Sequence, residues 1–266
     1  MSNYPSSALI AAFAAVVLCV PHHVSAQDNY EIQVYPSETV PKGTTMFELH
    51  SNYTLQGRRE ALGLGQYPTN HALHETLEIT HGFSQWSELG FYLFSSRPEG
   101  RNLEFVGTHV RPRIRVPDSW HWPVGVSISQ EIGFVRSQFA ADAWTYELRP
   151  IVDKQIGRWY ASVNPVFGKS LRGPGAARAF DVASNVDVGY DLSKKINVAV
   201  EYYGSTGTIA RIDPLAEQQH QLFGAVNLDL GPMWEFNFGY GTALTAAGDK
   251  SIVKMIFGRR VGTTAR

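Results

Sequence analysis

Acidic and basic side chains in this sequence stand at alternate positions within otherwise apolar runs. Glu48 lies in MFELHSNY, Glu78 in TLEIT, Glu88 in SELGFYL, and Arg111 and Arg113 in HVRPRIRV. Glu131, Glu147, Arg149, Glu201, Glu235 and Lys254 repeat the pattern downstream. An extended chain turns successive side chains to opposite faces, so charges spaced two apart share one side. The chemistry this offers is electrostatic. Carboxylates and guanidinium groups facing a common space set a transverse field and screen solutes. Packed across a narrow space, the same pairs neutralise one another and fill it, because buried charges need partners. The residues leave both readings open.

Covalent and metal chemistry find less support. The run HALHETLE, residues 71–78, superficially resembles a zinc-protease helix, but that motif needs two histidines on one helical turn. Here the residues alternate as a strand, so His74 and Glu75 point apart. Only His74, Glu78 and His50 are left to share a face, and no metal site is expected from them. Hydrolysis of a lipid or ester needs a nucleophile beside a histidine base. Ser51 near His50, or Ser127 and Ser129 opposite His109, are the candidates, without a Gly-x-Ser-x-Gly signature. Cys19 is the only cysteine and falls near the amino terminus, so disulfides, thiolate metal sites and cysteine nucleophiles are excluded from the mature chain. No cofactor is implied. With 23 Lys and Arg against 24 Asp and Glu, and no basic run, nothing points to a nucleic-acid partner.

The elements that position these charges are strands. Alternation predicts twelve, at about 43–54, 71–81, 86–95, 103–116, 123–136, 144–155, 158–168, 179–192, 196–205, 219–230, 233–243 and 250–261. Most match the 9–11 tilted residues a bilayer requires. The connections fall strictly into two alternating classes. Gly82 to Gln85, Pro117 to Trp122, Gly157, Ser193 to Lys195 and Gly231-Pro232 read as tight. Gln56 to Asn70, Ser96 to Asn102, Ser137 to Ala143, Ser170 to Arg178, Thr206 to Gln218 and Thr245 to Asp249 read as longer. Outer-membrane barrels have short periplasmic turns and longer outer loops. An even strand number then leaves both ends of the barrel on the periplasmic side. The apolar face belongs to lipid, since Arg or Lys there costs about 2–4 kcal/mol at the midplane. Pro112, Pro150 and Pro165 break the strand grammar and are expected at bulges near the rims. Trp86, Trp120, Trp122, Trp159 and Trp234 fall beside the short turns. Trp144, Phe94, Phe105, Phe139 and Tyr202 fall toward the long loops, as two aromatic girdles would.

The amino terminus reads as an export signal. Residues 8–20, ALIAAFAAVVLCV, are too short to span a bilayer as a helix and precede a Val-Ser-Ala cleavage site. The first seven residues carry no Lys or Arg. The expected organisation is a signal peptide over 1–26, a periplasmic amino-terminal segment over 27–42 and a barrel over 43–261.

The stretch TLEITHGFSQWSELGFYL, residues 76–93, resembles a hairpin of a porin-like outer-membrane family associated with transport in aromatic-compound (MetA-type phenol) degradation. GTTMFELH, residues 43–50, and SIVKMIFG, residues 251–258, share the likeness. Many such barrels end on an aromatic residue, whereas this chain continues past Phe257. The resemblance implies an outer-membrane barrel and solute transport, without naming a substrate or a binding residue. The expectation is therefore an all-β, transmembrane, antiparallel up-and-down barrel of about twelve strands, surrounded by outer-membrane lipid. It would pass small solutes through a Glu/Arg-lined lumen and would not be an enzyme. The alternatives are an outer-membrane hydrolase, or a plugged barrel with a structural or adhesive role.

Overall fold

The structure is a computed structural model that describes residues 29–60 and 66–262. The expected signal peptide lies outside the described residues. Thirteen strands follow in chain order: β1 Thr44–Gln56, β2 Leu73–Gly82, β3 Ser87–Arg97, β4 Glu104–Arg115, β5 Gly125–Val135, β6 Trp144–Ile156, β7 Trp159–Arg172, β8 Asp181–Asp191, β9 Ile196–Thr208, β10 Arg211–Ile212, β11 Gln219–Asp229, β12 Trp234–Ala243 and β13 Ser251–Gly262. Twelve of them form the barrel. β10 only pairs with the end of β9 inside a loop.

Each barrel strand runs antiparallel to the next in sequence. β13 pairs with β1 from Thr44↔Gly262 to Gln56↔Ser251, and this closes the sheet. Closure leaves no edge strand, so the ladder runs around the whole wall, as a bilayer demands, with gaps only where prolines interrupt it. The strands run from 10 residues in β2 to 14 in β7, long enough to cross while tilted.

The wall inverts the usual soluble pattern. Along β3, Glu88, Tyr92 and Phe94 are buried while Leu89, Phe91 and Leu93 are exposed. Elsewhere Phe47, Leu49, Ile132, Val200 and Phe238 are exposed, and Thr44, His50, Asn52, Thr76, Asn164 and Lys254 are buried. Polar groups inside and an apolar belt outside are the signature of a barrel in lipid. The tryptophan rings at the short-turn rim are exposed and pack on neighbouring aromatics, Trp159 tilted against Tyr190 at 4.8 Å and Trp234 stacked on Phe257 at 5.3 Å.

Four local expectations need correction. The β4–β5 connection, residues 116–124, is not tight; it holds a 3-10 turn at Asp118–Trp120 and a left-handed His121, φ 52°. Phe94 does not belong to a girdle, because it points inward beside Tyr30, Tyr92, Val106 and Val135, with Phe139 packed on that cluster. The strand prolines sit at gaps in the ladder that keep their register, instead of at bulges. Pairing of β6 with β7 lapses between Leu148↔Phe167 and Val152↔Val163, and both Pro150 and Pro165 lie in that gap. Two missing N–H groups thus share one interruption. The fourth correction is the largest. The amino-terminal segment, expected below the barrel in the periplasm, lies inside it.

Candidate functional site

The segment enters at the short-turn end, where Lys42 bridges to Gly82, and climbs to the long-loop end, where Asn29 Nδ2 donates to Asp249 Oδ2 at 2.6 Å. Pro36 and Pro41 lack the N–H that a ladder needs. The segment therefore joins no sheet and is held by side chains from around the wall. Asn52 and Thr76 donate to the carbonyl of Tyr30, at 3.3 and 2.8 Å. Lys254 Nζ donates to the carbonyl of Ile32 at 3.1 Å. Ile32 packs with Tyr203, Phe223 and Ile252. Asp153 accepts from the Ser37 amide at 2.6 Å and from its hydroxyl at 2.7 Å. Glu88 Oε2 accepts from the Val40 amide at 2.6 Å.

Tyr35 is the centre of this attachment. Its ring lies 4.5 Å from the Arg111 guanidinium, 5.0 Å from Arg149 and 5.8 Å from Arg113. Its amide donates to Asn164 Oδ1 at 2.8 Å, and its carbonyl accepts from Asn164 at 3.0 Å and Ser162 at 2.9 Å. A cation over a desolvated ring is worth about 2 kcal/mol. Arg113 also reaches the carbonyls of Pro36, at 3.0 Å, and Glu38, at 2.6 Å.

The residues singled out from the sequence lie as follows. Arg111 pairs with Glu78 at 2.6 Å, and Arg113 with Glu88 at 2.7 Å, both fully enclosed. Arg149 pairs with Glu147 at 2.7 Å. Glu201 pairs with Lys254, and Glu131 with His109. Glu48 is buried in register with Glu78, and Glu235 stands across Gly258 from it. Charges two apart thus share one face, and most meet an opposite charge. What the sequence did not reveal is that Glu88, Arg113 and Lys254 also grip a backbone passing between them. Tyr35, Asp153, Asn164 and Ser162 were not anticipated. Ser and Asn at alternating positions carry no charge signal by which to notice them.

The proposed alternatives for chemistry do not come together. Ser51 donates to Glu75 at 2.7 Å on the face opposite His50. His50 approaches Glu78 at 3.5 Å, while His74 lies edge-on to Tyr30. Ser129 is registered with Arg113, and His109 with Gly133.

Beside the amino-terminal end of the segment, walled by β2 to β8, lies a cavity of about 290 Å³. Its upper lining is loop: Tyr67, Pro98, Phe139 and Asp249. Its floor is Arg149, Glu131, Glu147 and Asn185. It opens among the long loops and stops at the level of Tyr35.

A closed twelve-stranded wall with an apolar exterior and a polar, partly filled interior defines a porin-like outer-membrane barrel. Known structures agree. An outer-membrane channel from Pseudomonas putida F1 superposes with a TM-score of 0.58 at 11% identity, over 87% of this chain and 100% of that one. The KdgM porin gives 0.52 at 9% identity, over 80% of this chain and 98% of its own. The NanC porin gives 0.52 at 10% identity, over 82% and 99%. No protein-family model matches the sequence, and no curated protein matches it. The likeness is therefore one of fold.

Proposed function

We propose that this protein is an outer-membrane channel for small solutes, restricted at mid-barrel by its own residues 29–41. The observation that carries the reading is the cavity, open among the long loops and floored by charged residues at the level where Tyr35 fills the lumen. Solute enters from the long-loop side and meets Arg149, Glu131 and Glu147 before the segment. The ion pairs then have two tasks, setting the field in the free part of the lumen and holding the segment in the rest. A barrel of similar fold, the KdgM porin, is known in complex with disordered oligogalacturonate, which supports a solute as the partner.

Planar-bilayer conductance tests this, comparing the mature chain with a variant lacking residues 27–41. Heat-modifiable gel mobility verifies that both are folded. The full chain should give small or infrequent steps, and the shortened chain large and sustained ones. Two folded but silent proteins would overturn the channel reading. Equal conductance in both would remove the segment as the restriction.

A further inference from the structure

The widest lapse in the ladder lies where the segment is most firmly held. Between Leu148↔Phe167 and Val152↔Val163 the register is unchanged, so Pro150 of β6 stands opposite Pro165 of β7. On their other sides both prolines stay in register, Pro150 with Ile128 of β5 and Pro165 with Ser184 of β8. A proline has no N–H to give, so two opposed prolines deplete the same stretch of ladder. β6 is thus zipped to β5, and β7 to β8, while β6 and β7 meet along a seam of about 13 Å, four steps of strand rise. The lapse at Pro112, between β4 and β5, is shorter and holds one proline. It is backed by Arg111 in its pair with Glu78.

The segment joins the two strands across this seam. On β6, Asp153 accepts from the amide and hydroxyl of Ser37 at 2.6 and 2.7 Å, and the Arg149 guanidinium lies 5.0 Å from the Tyr35 ring. On β7, Asn164 and Ser162 hold the Tyr35 amide and carbonyl at 2.8–3.0 Å. Arg149 and Asn164 lie within the lapse, and Asp153 and Ser162 are a registered pair just beyond it. Residues 35–37 therefore strap β6 to β7 where the strands do not hold each other. Arg149 and Val166, both within the lapse, also line the cavity. On the outer face Val152 and Val163, 41% and 42% exposed, belong to the apolar belt. A solute at the cavity floor thus has Tyr35 below it and the seam beside it. Parting two strands in lipid strands their N–H and C=O groups, and it costs least where prolines leave fewer of them. We propose that residues 35–37 are the strap of a lateral exit: when they leave, β6 and β7 part at the proline seam and the cavity opens sideways into the bilayer. Such an exit discharges into hydrocarbon, so it serves solutes that partition into lipid and excludes charged ones. The inference rests on the channel reading only in taking the cavity as the solute's way in.

Ile151, fully buried between Pro150 and Val152 on the lumen side, reports on the seam. Cys19 is the only cysteine and lies in the expected signal peptide, so Ile151→Cys gives the mature chain a single thiol. The probe is a maleimide carried on a phospholipid acyl chain in nanodiscs, which reaches that thiol only through the wall. Labelling should be slow in the full mature chain. It should be about tenfold or more faster when Tyr35→Leu and Ser37→Ala are added, or when residues 27–41 are removed. Pro150→Val with Pro165→Val restores both N–H groups and should return the slow rate. Asn185→Cys, as deeply buried but behind the paired β7–β8 and β8–β9 ladders, should stay slow throughout. Heat-modifiable mobility verifies that each barrel is folded. Equal rates at Ile151→Cys with and without the strap overturn the exit. Equal acceleration at Ile151→Cys and Asn185→Cys overturns it too, because the whole wall has then loosened. Conductance that rises in the shortened chain without faster labelling keeps the channel reading and sinks the exit; faster labelling of a barrel that never conducts does the reverse.

Discussion

Tyr35 joins the segment to the wall through its ring, its amide and its carbonyl, so its side chain can be dissected from its backbone. Tyr35→Leu keeps apolar bulk but removes the π face seen by Arg111, Arg113 and Arg149. Each such contact is worth about 0.5–2 kcal/mol, and the three are not additive. A loss of about 1.4 kcal/mol is tenfold in an equilibrium. Single-channel recording should therefore show open time rising about tenfold or more in Tyr35→Leu. Tyr35→Phe loses only a 3.3 Å contact with the Tyr92 hydroxyl and should resemble the wild type. At the long-loop rim a different residue couples two loops. Hydrogen bonds from His71, at 2.8 Å, and Asn70, at 3.3 Å, hold the Glu99 carboxyl below its ordinary value of 4.5. A carboxylate lowered in the folded state stabilises above its unfolded value, and that stability is lost as pH falls through the folded one. Acidification below about pH 4.5 should thus loosen residues 66–72 from 98–103, seen as faster proteolysis of these loops. Glu99→Gln should abolish that pH dependence. The effect should be small because the pair is exposed to water.

At the scale of elements, the strands were legible and the segment was not. Alternation marks a strand because each wall residue has two unlike environments, lipid and lumen; β3 and β12 announce themselves in this way. Residues 29–41 alternate only over Glu31-Ile32-Gln33-Val34 before Pro36, too short a run to announce an element. Ile32 and Val34 occur among Glu31, Gln33 and Ser37, which read as an ordinary polar lead-in. Its holders were visible as charges, but a charge facing a channel and a charge gripping a backbone look alike in sequence. Lys254 shows the difference. It is 1% exposed and touches Glu201, the Tyr203 hydroxyl and the Ile32 carbonyl. Lys254→Met leaves Glu201 buried without its cation, a change that costs about 3–5 kcal/mol. The urea midpoint for unfolding from lipid should fall clearly. The double variant Lys254→Met, Glu201→Gln should recover most of the loss. Equal destabilisation by both would mean that the Ile32 contact, not the ion pair, is what Lys254 supplies.

The whole molecule is a wall with a filled core, and its two surfaces obey opposite rules. In a soluble protein Val200, 53% exposed at the middle of β9, would tolerate a charge. Here it is registered with Val188 on one side and Gly224 on the other, in the centre of the apolar belt. Val200→Arg places a cation in hydrocarbon and should cost about 2–4 kcal/mol, because no water reaches it there. Ile209 is more exposed, at 63%, but it lies in the long-loop rim beyond the end of β9. Ile209→Arg should cost about 0–1 kcal/mol, as charges do near the interface. The comparison is made by urea titration of refolding into lipid vesicles. Because the two sites differ in depth and scarcely in exposure, a large cost at Val200 and a small one at Ile209 can arise only from a surrounding bilayer. Equal costs at both sites would mean that the exterior belt does not face lipid.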